Sequence, residues 1–467
     1  MGKRQAILVV GLGYGDEGKG SLVDYLVRET HAHTVVRYNG GAQAAHNVID
    51  ARGRHHTFAQ FGSGMFVPGT RTHLSRYMMV EPMSLFKEEE HLRALGIRDA
   101  LARLSIDRRA LITTPYHQAA NRLREMARGS DRHGSCGRGV GETMWDYVTY
   151  GDRVLFAGDL AERGRALDKL RFIRETKLAS LHDVLQHLHR TPEVDRELNV
   201  LTDASYDEFC ADGYGRLVRA VQIVDEGYFR GLTEVDGALV FEGAQGALLD
   251  EWYGFHPYTT WSTTTLKNAY ELLNEQGYDG EIVRLGALRA YSTRHGSGPF
   301  VTEDSHWGRL IPDRHNGLND WQREFRVGPL DLVATRYALD IIGGVDYIAA
   351  TNFDRLAQVP SWRVCDAYCY AGSVDDTMRD HFEQGQDGAL VRIKRSPVID
   401  LDYQAQLTDL LAKCEPRYRL IERGRVDAQE DLLTYIEMME QGLGTPIGII
   451  SHGPKAQDKQ RRKVNAF

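Results

Sequence analysis

The chain has 467 residues, enough to bury a large core. A net charge of −8 and a pI of about 6.1 argue against a general nucleic-acid or membrane-surface binder. No run of roughly 18 apolar residues is present that could cross a bilayer, and five scattered cysteines fit a reducing cytosol.

The first predicted element is the apolar run Ala6–Val10, short and rich in Ile and Val as a buried parallel strand should be. It starts almost at the N-terminus, so no signal peptide is expected and the expected location is cytoplasmic. Gly11-Leu-Gly-Tyr-Gly-Asp-Glu-Gly-Lys-Gly20 follows, then Ser21–Val27 with apolar residues at helical spacing. Strand, glycine loop and helix form a phosphate cradle: glycines let backbone N–H groups approach phosphate oxygens, and a helix N-terminus favours the negative charge. Lys19 adds a formal positive charge. The standard nucleotide loop places Ser or Thr after its Lys. Here Gly20 follows, and Asp16 and Glu17 lie inside the loop. A carboxylate beside a phosphate is costly unless it holds a metal or moves a proton.

The next strand, Thr34–Arg37, leads to the break Gly40-Gly41 and a polar turn bearing Gln43 and His46. An imidazole there suits proton donation to a leaving oxygen near neutral pH, although a lone turn His is usually a surface or capping residue. Arg132-His-Gly-Ser-Cys-Gly-Arg-Gly-Val-Gly141 has the glycine density of an anion nest, with Ser135 as a donor, and reads equally well as a surface loop. The segment 162–230 reads as mostly helical and charged. Strand Ala238–Phe241 runs into a glycine-bracketed Gln245, a possible donor to an oxyanion or a purine edge, and a hydroxyl-rich stretch, 256–265, follows.

After strand Glu281–Leu285 come Arg294, Arg323 and Arg326, each able to fork onto a carboxylate or phosphate or to serve as an ordinary surface charge. Strand Tyr347–Ala350 ends in Thr-Asn-Phe-Asp354; a carboxylate at such a strand end can accept from guanine N1–H and its exocyclic amine. Segment 375–441 mixes short strands and helices, and strand Ile447–Ile450 runs into Ser451-His-Gly-Pro454. Strands alternating with helices predict an α/β protein with a largely parallel central sheet flanked by helices. The absence of repeats and long linkers predicts one catalytic unit over residues 1–467, with helical insertions near 162–230 and 375–441. Cys365 and Cys369 lack the second pair that zinc needs, so a structural role is expected.

Together these motifs resemble adenylosuccinate synthetases, in order and over nearly the whole chain. Gly15–Gly20, Phe241-Glu-Gly-Ala-Gln-Gly246, Tyr291–Arg294 through Gly298-Pro-Phe300, and Ser451–Pro454 carry the resemblance. It implies a P-loop-NTPase-like fold, a homodimer, and a ligase that joins L-aspartate to the 6-position of IMP using GTP and Mg2+. Asp16 would remove the N1 proton and touch Mg2+, with Ala45 offering a carbonyl to the metal. His46 would donate to the leaving phosphate, and Gln245 would steady charge on O6. Gly15, Glu17, Gly18, Lys19 and Gly20 would hold GTP phosphates, with Arg326 also expected on the cofactor side, and Asn352, Asp354, Ser451 and Gly453 would hold the base. Gln43, Ser135, Cys136, Thr260, Arg323 and Arg153 would contact the other substrates.

The chain departs from the family at the substrate loops. Gln43 stands for Asn, Ala45 for Gly, Cys136 for Thr and Asn352 for Lys. Tyr150 takes the position of an Arg lent across the dimer, Arg153 being the nearest replacement. Asn319–Arg326 replaces the aspartate loop. Alternatives are therefore a paralogue acting on dGMP or GMP toward a 2-aminoadenine product, a different amino acid, or a non-catalytic nucleotide-binding regulator. Retention of Asp16 favours a purine lacking a 2-amino group. Asp16, Lys19, His46 and Gln245 together disfavour a mere binder, and Gly20 disfavours a GTPase switch.

Overall fold

The computed structural model describes residues 3–129, 135–313, 325–421 and 428–463. Its centre is a ten-stranded sheet. In chain order the strands are β1 (Arg4–Gly11), β2 (Thr34–Arg37), β5 (Arg71–Leu74), β6 (Leu104–Asp107), β7 (Gln222–Val224), β8 (Gly237–Glu242), β9 (Glu281–Arg289), β12 (Tyr347–Thr351), β13 (Ile447–Ser451) and β14 (Lys459–Arg461). The spatial order is β14-β13-β12-β9-β1-β8-β2-β5-β6-β7, parallel throughout except for β14. The antiparallel hairpin β3 (His46–Ile49) and β4 (His55–Phe58) sits beside it, as does the pair β10 (Ser292–His295) and β11 (Phe325–Gly328).

The six strands expected from sequence are six neighbours here, β13 through β2, with β1 at their centre. Along β1, Ala6, Leu8 and Val10 face one core and Ile7 and Val9 the other. This two-sided burial is why the strand reads as an unbroken apolar run. Helix α1 (Lys19–Thr30) covers the second face with Leu22, Val23, Leu26 and Val27. Helices over 163–220 pack on a further core that includes Leu104, Leu170 and Tyr214, next to the β5–β7 end of the sheet. Residues 375–421 and 428–441 hold a mixture of short strands and helices.

All carboxyl ends of the parallel strands point to one rim. The loops after β1, β2, β8, β9, β12 and β13 meet there, as ligand-binding crevices of open α/β sheets do. No helix among the described residues is long and apolar enough to cross a membrane.

Candidate active site

The rim encloses a cavity of about 980 Å3. Its wall includes Gly15, Asp16, Glu17, Gly18, Lys19, Gly20, Gln43, Ala45, His46, Ser135, Cys136, Gln245, Thr260, Asn352, Asp354, Ser451 and Gly453. Segments more than 400 positions apart in sequence thus share one space. Arg326 and Arg153 lie outside that wall, and Arg323 lies outside the described residues.

The glycine loop is braced from within. The Glu17 carboxylate turns under it and accepts from the backbone N–H of Gly13 (3.0 Å) and of Gly15 (2.8 Å), while Lys19 Nζ reaches its other oxygen at 2.5 Å. Both side chains are buried. The Glu17 carbonyl in turn accepts from Thr351 Oγ1 at the end of β12 (2.8 Å). Glu17 therefore shapes the cradle with its side chain, and because the Gly15 N–H is turned inward onto that carboxylate it is not the phosphate donor expected from sequence.

Gly20, which on sequence looks like a lost hydroxyl, has a packing reason. A Cβ there would lie 2.8 Å from both the carbonyl carbon and Cβ of His46. The bare glycine lets the start of β3 press against the first turn of α1, so His46 enters the cavity next to the loop. His46 is the first residue of a strand rather than part of a turn as expected.

His46 Nδ1 is 2.6 Å from Glu242 Oε1, at the end of β8. Glu242 is fully buried and also accepts from the backbone N–H of Ser63 (2.9 Å) and from its hydroxyl. Burial pushes the His46 pKa down, and the hydrogen bond and charge of Glu242 oppose that fall. Burial pulls the Glu242 pKa up, but His46, Arg37 and Ser63 outweigh it and leave the carboxyl below its ordinary range. With Nδ1–H assigned to Glu242, Nε2 is the nitrogen left to serve the cavity. Sequence reasoning assigned Glu242 no role; its one signal was a carboxylate ending an otherwise apolar strand.

Among the described residues four non-glycines have a left-handed backbone. His31 closes α1, and the other three, Asp16 (φ 62°), Gln245 (φ 62°) and Asn352 (φ 64°), are all on the cavity wall. Such backbones persist where surrounding structure over-determines them, and they cluster at functional sites. Gln245 Nε2 donates to Thr260 Oγ1 at 2.8 Å, while its Oε1 is buried without a partner. Both amide atoms of Gln43 are in the same condition, and the two amides flank Gly40. Buried polar atoms left unpaired are expensive, which fits atoms awaiting a ligand. Ala45 has no left-handed backbone, so the Ala-for-Gly exchange leaves its carbonyl available without strain.

At the other end of the cavity, burial raises the Asp354 pKa, and Ser451 Oγ donates to the Gly453 carbonyl (3.0 Å). Ser135 exchanges hydrogen bonds with Asn121 (3.1 and 3.2 Å), and burial raises the Cys136 thiol pKa. Arg294 is spent on structure: it donates to the carbonyls of Ser297 (3.0 Å), Pro299 (2.7 Å) and Tyr258 (3.2 Å) and lies over the Tyr14 ring. Arg326 likewise holds the carbonyls of Gly296 (2.6 Å) and Gly298 (3.0 Å) and pairs with Glu303. Arg153 stacks on Phe172, 3.9 Å from the ring centroid.

The adenylosuccinate synthetase family profile matches residues 8–460. The chain is 31% identical to the adenylosuccinate synthetase of Clostridium beijerinckii, over 98% of this chain and 99% of that one. It is 32% identical to that of Salinibacter ruber, over 96% of each. Its fold matches the fully ligated adenylosuccinate synthetase of Plasmodium falciparum with a TM-score of 0.77 at 22% identity, covering 98% and 99% of the two chains. The succinoaminodeoxyadenylate synthetase of cyanophage S-2L, bound to dGMP and to dATP as energy donor, matches with a TM-score of 0.59 at 16% identity, covering 99% and 97%. With a glycine loop, a glutamate-held histidine and a strained glutamine on one wall, and with this likeness over its whole length, the chain belongs to the adenylosuccinate synthetase family of C–N bond-forming ligases.

Proposed function

We propose that this protein joins L-aspartate to the 6-position of IMP at the expense of GTP, through a 6-phosphoryl intermediate, in purine nucleotide biosynthesis. The observation that carries this reading is the convergence of Asp16, His46 and Gln245 on the wall that also holds the glycine loop. A nucleotide-binding regulator needs a cradle but neither a base nor an acid. Asp16 takes the N1 proton of the 6-oxopurine, which makes O6 nucleophilic toward the γ-phosphorus of GTP. Gln245 donates to the charge that develops on O6. His46, protonated on Nε2 and held through Nδ1 by Glu242, donates to the leaving phosphate oxygens. The aspartate amine then attacks C6, and the C6–O6 bond breaks with phosphate as the leaving group. The loop amides other than those of Gly13 and Gly15, which Glu17 occupies, bind the GTP phosphates together with Lys19, and Asp354, Ser451 and Gly453 bind its base.

The residues fit Mg2+. No cluster of three or more metal-binding side chains exists among the described residues, but Mg2+ is usually held by one or two carboxylates plus substrate phosphates. Asp16 and the Ala45 carbonyl are the groups to hold it. When bound it neutralises charge on the transferring phosphoryl group. The remaining site proposals are Gln43, Ser135, Cys136 and Thr260 on the nucleoside monophosphate. Arg153, exposed and outside its own chain's cavity wall, is proposed for a partner subunit in a homodimer in the cytoplasm.

A phosphate-release screen tests the reading. IMP, dIMP, GMP and dGMP are each paired with aspartate and a panel of other amino acids, with GTP or ATP as donor. Release should require a 6-oxopurine nucleotide and an amino acid together, with IMP, aspartate and GTP best. Folded protein with no acceptor-dependent release sinks the ligase reading, and a preference for dGMP moves the protein to the 2-aminoadenine branch.

A further inference from the structure

The segment expected to bind the amino acid, 319–326, is rewritten in this chain, so the cations that remain on the cavity wall are informative. Most are committed elsewhere. Lys19 is paired with Glu17, Arg124 with Glu142, Arg128 with Glu125, and Arg294 with three carbonyls. Arg355 follows Asp354 at the end proposed for the GTP base and donates to the Pro312 carbonyl. Arg289 differs. It ends β9, the strand paired with β1 as far as Gly11, and so emerges beside the glycine loop. Its guanidinium lies over the faces of Tyr291 and Phe325. One terminal nitrogen donates to Thr293 Oγ1 at 3.2 Å and the other to Asp313 Oδ2 at 3.1 Å.

Arg289 and Asp313 both line the cavity, and their side chains are only 8% and 11% exposed. Burial works against the Arg289 charge, but its surroundings, the Asp313 carboxylate among them, outweigh burial and hold the guanidinium protonated, and Asp16 lines the same cavity. The pair is joined by one nitrogen and one oxygen at ordinary hydrogen-bond length rather than by a two-pronged fork. Opening such a buried pair leaves the guanidinium without its carboxylate and takes from the carboxylate its guanidinium, a cost met only when the entering group satisfies both. A zwitterion does so: its carboxylate replaces Asp313 on the guanidinium, and its ammonium replaces Arg289 on the carboxylate.

We propose that the Arg289–Asp313 pair is the amino-acid clamp of this protein, Arg289 binding a carboxylate and Asp313 the α-ammonium of a zwitterionic α-amino acid beside Asp16. The proposal rests on the ligase reading and assigns the subsite that reading leaves open. Thr293 and the two aromatic faces keep the guanidinium in place when its partner changes.

The test is steady-state phosphate release at saturating IMP and GTP with varied aspartate, and with succinate, a dicarboxylate lacking the amine, as competitor. Arg289→Gln should raise the KM for aspartate and the inhibition constant of succinate by about thirtyfold, the loss of one charge-assisted contact. Arg289→Lys should give an intermediate rise, and it carries the test if the Gln variant does not fold. Asp313→Asn should weaken aspartate but tighten succinate, because only aspartate has an ammonium for Asp313 to hold, while succinate must displace the Asp313 carboxylate from Arg289 with nothing to replace it. The KM values for IMP and GTP should stay within about twofold, as expected for a contact made only by the amino acid. An unchanged aspartate KM in Arg289→Lys and Arg289→Gln, a parallel rise in all three KM values, or an equal effect of Asp313→Asn on aspartate and succinate would each overturn the clamp. Wild-type protein that releases no phosphate in response to any amino acid overturns the ligase reading instead.

Discussion

Two stretches of the cavity rim are built on opposite principles. The stretch formed by 294–300 and β11 spends its cations mostly on backbone carbonyls: Arg294 and Arg326 together hold five, only Arg326 Nε and His295 Nδ1 are left buried without a partner, and a Cβ on Gly298 would run into the Arg294 guanidinium. The stretch formed by the glycine loop, 43–46 and 245 leaves polar atoms of Gln43 and Gln245 buried and unpaired, and holds Asp16 and Gln245 in left-handed backbones. Satisfied groups rigidify a wall, whereas unsatisfied ones cost stability that only a bound ligand restores. Charge type alone therefore does not identify binding residues here. Arg294 and Arg326, which the sequence leaves open between anion forks and surface charges, hold carbonyls, and an uncharged amide on the cavity wall, Gln43, has both its polar atoms buried and unpaired.

The sharpest way to break this contrast is Asp16→Asn. Asn tolerates the left-handed backbone as well as Asp does, so the loop should keep its shape and the thermal midpoint should not move. Loss of the base should lower kcat by about 10³-fold. A variant retaining a tenth of wild-type turnover would remove Asp16 from the chemistry.

The bracing stretch should respond the other way. Arg294→Lys replaces a planar fork with a point charge that cannot reach three carbonyls at once, leaving buried acceptors unpaired. Unfolding should become easier by about 3 kcal/mol, read by urea titration at unchanged m-value. Its effect on KM should be spread over all substrates. Normal stability with a selective rise in one KM would make Arg294 a substrate ligand after all.

Between these extremes stands Glu242. Its carboxylate opposes the fall in the His46 pKa caused by burial. Glu242→Gln removes that opposition, so the imidazole loses its proton at lower pH. Because donation from Nε2 needs the protonated ring, turnover falls as pH rises through this pKa, and the variant's fall should begin at more acidic pH. At pH 7.5 the loss should be about tenfold, recovered in part on acidification. A profile that drops uniformly without moving would make Glu242 a packing residue only.

How much of this was legible in the sequence follows the same division. The six central strands were legible because each is buried on both faces and reads as an apolar run. Arg71–Leu74, Leu104–Asp107 and Gln222–Val224 were not: strands of three or four residues show no period, and Arg, Thr, His and Gln among them break the apolar signal. The glycine loop was legible as a cradle, yet the inward turn of Glu17 and the contact between Gly20 and His46 are tertiary facts. The bond from Glu242 to His46 spans 196 positions, which no local pattern encodes. The clamp pair is of the same kind, since Arg289 ends a strand and Asp313 follows a helix 24 positions on.

The smallest expected effect lies just behind the glycine loop. Asp331 caps the helix Leu332–Ile342, accepting from the Ala334 N–H (3.0 Å) and from the Tyr368 hydroxyl (2.7 Å). Burial raises its pKa to about 6 in spite of these bonds. Between the ordinary carboxyl value near 4 and about 6, the folded chain therefore holds a proton that the unfolded chain has released. The contribution of this group is most favourable below the unfolded value and is lost as pH rises through that window. Asp331→Asn keeps a capping oxygen and cannot ionise, so the variant should gain on wild type by about 1–2 kcal/mol between pH 4 and pH 7. Turnover at neutral pH should change little, because Asp331 lines a small inner cavity under Gly13–Gly15 and not the main cavity wall. Parallel stability curves for the two proteins across pH 4 to 7 would show that Asp331 does not carry a buried charge. A large loss of turnover would show that the braced interior and the open wall are coupled through the glycine loop.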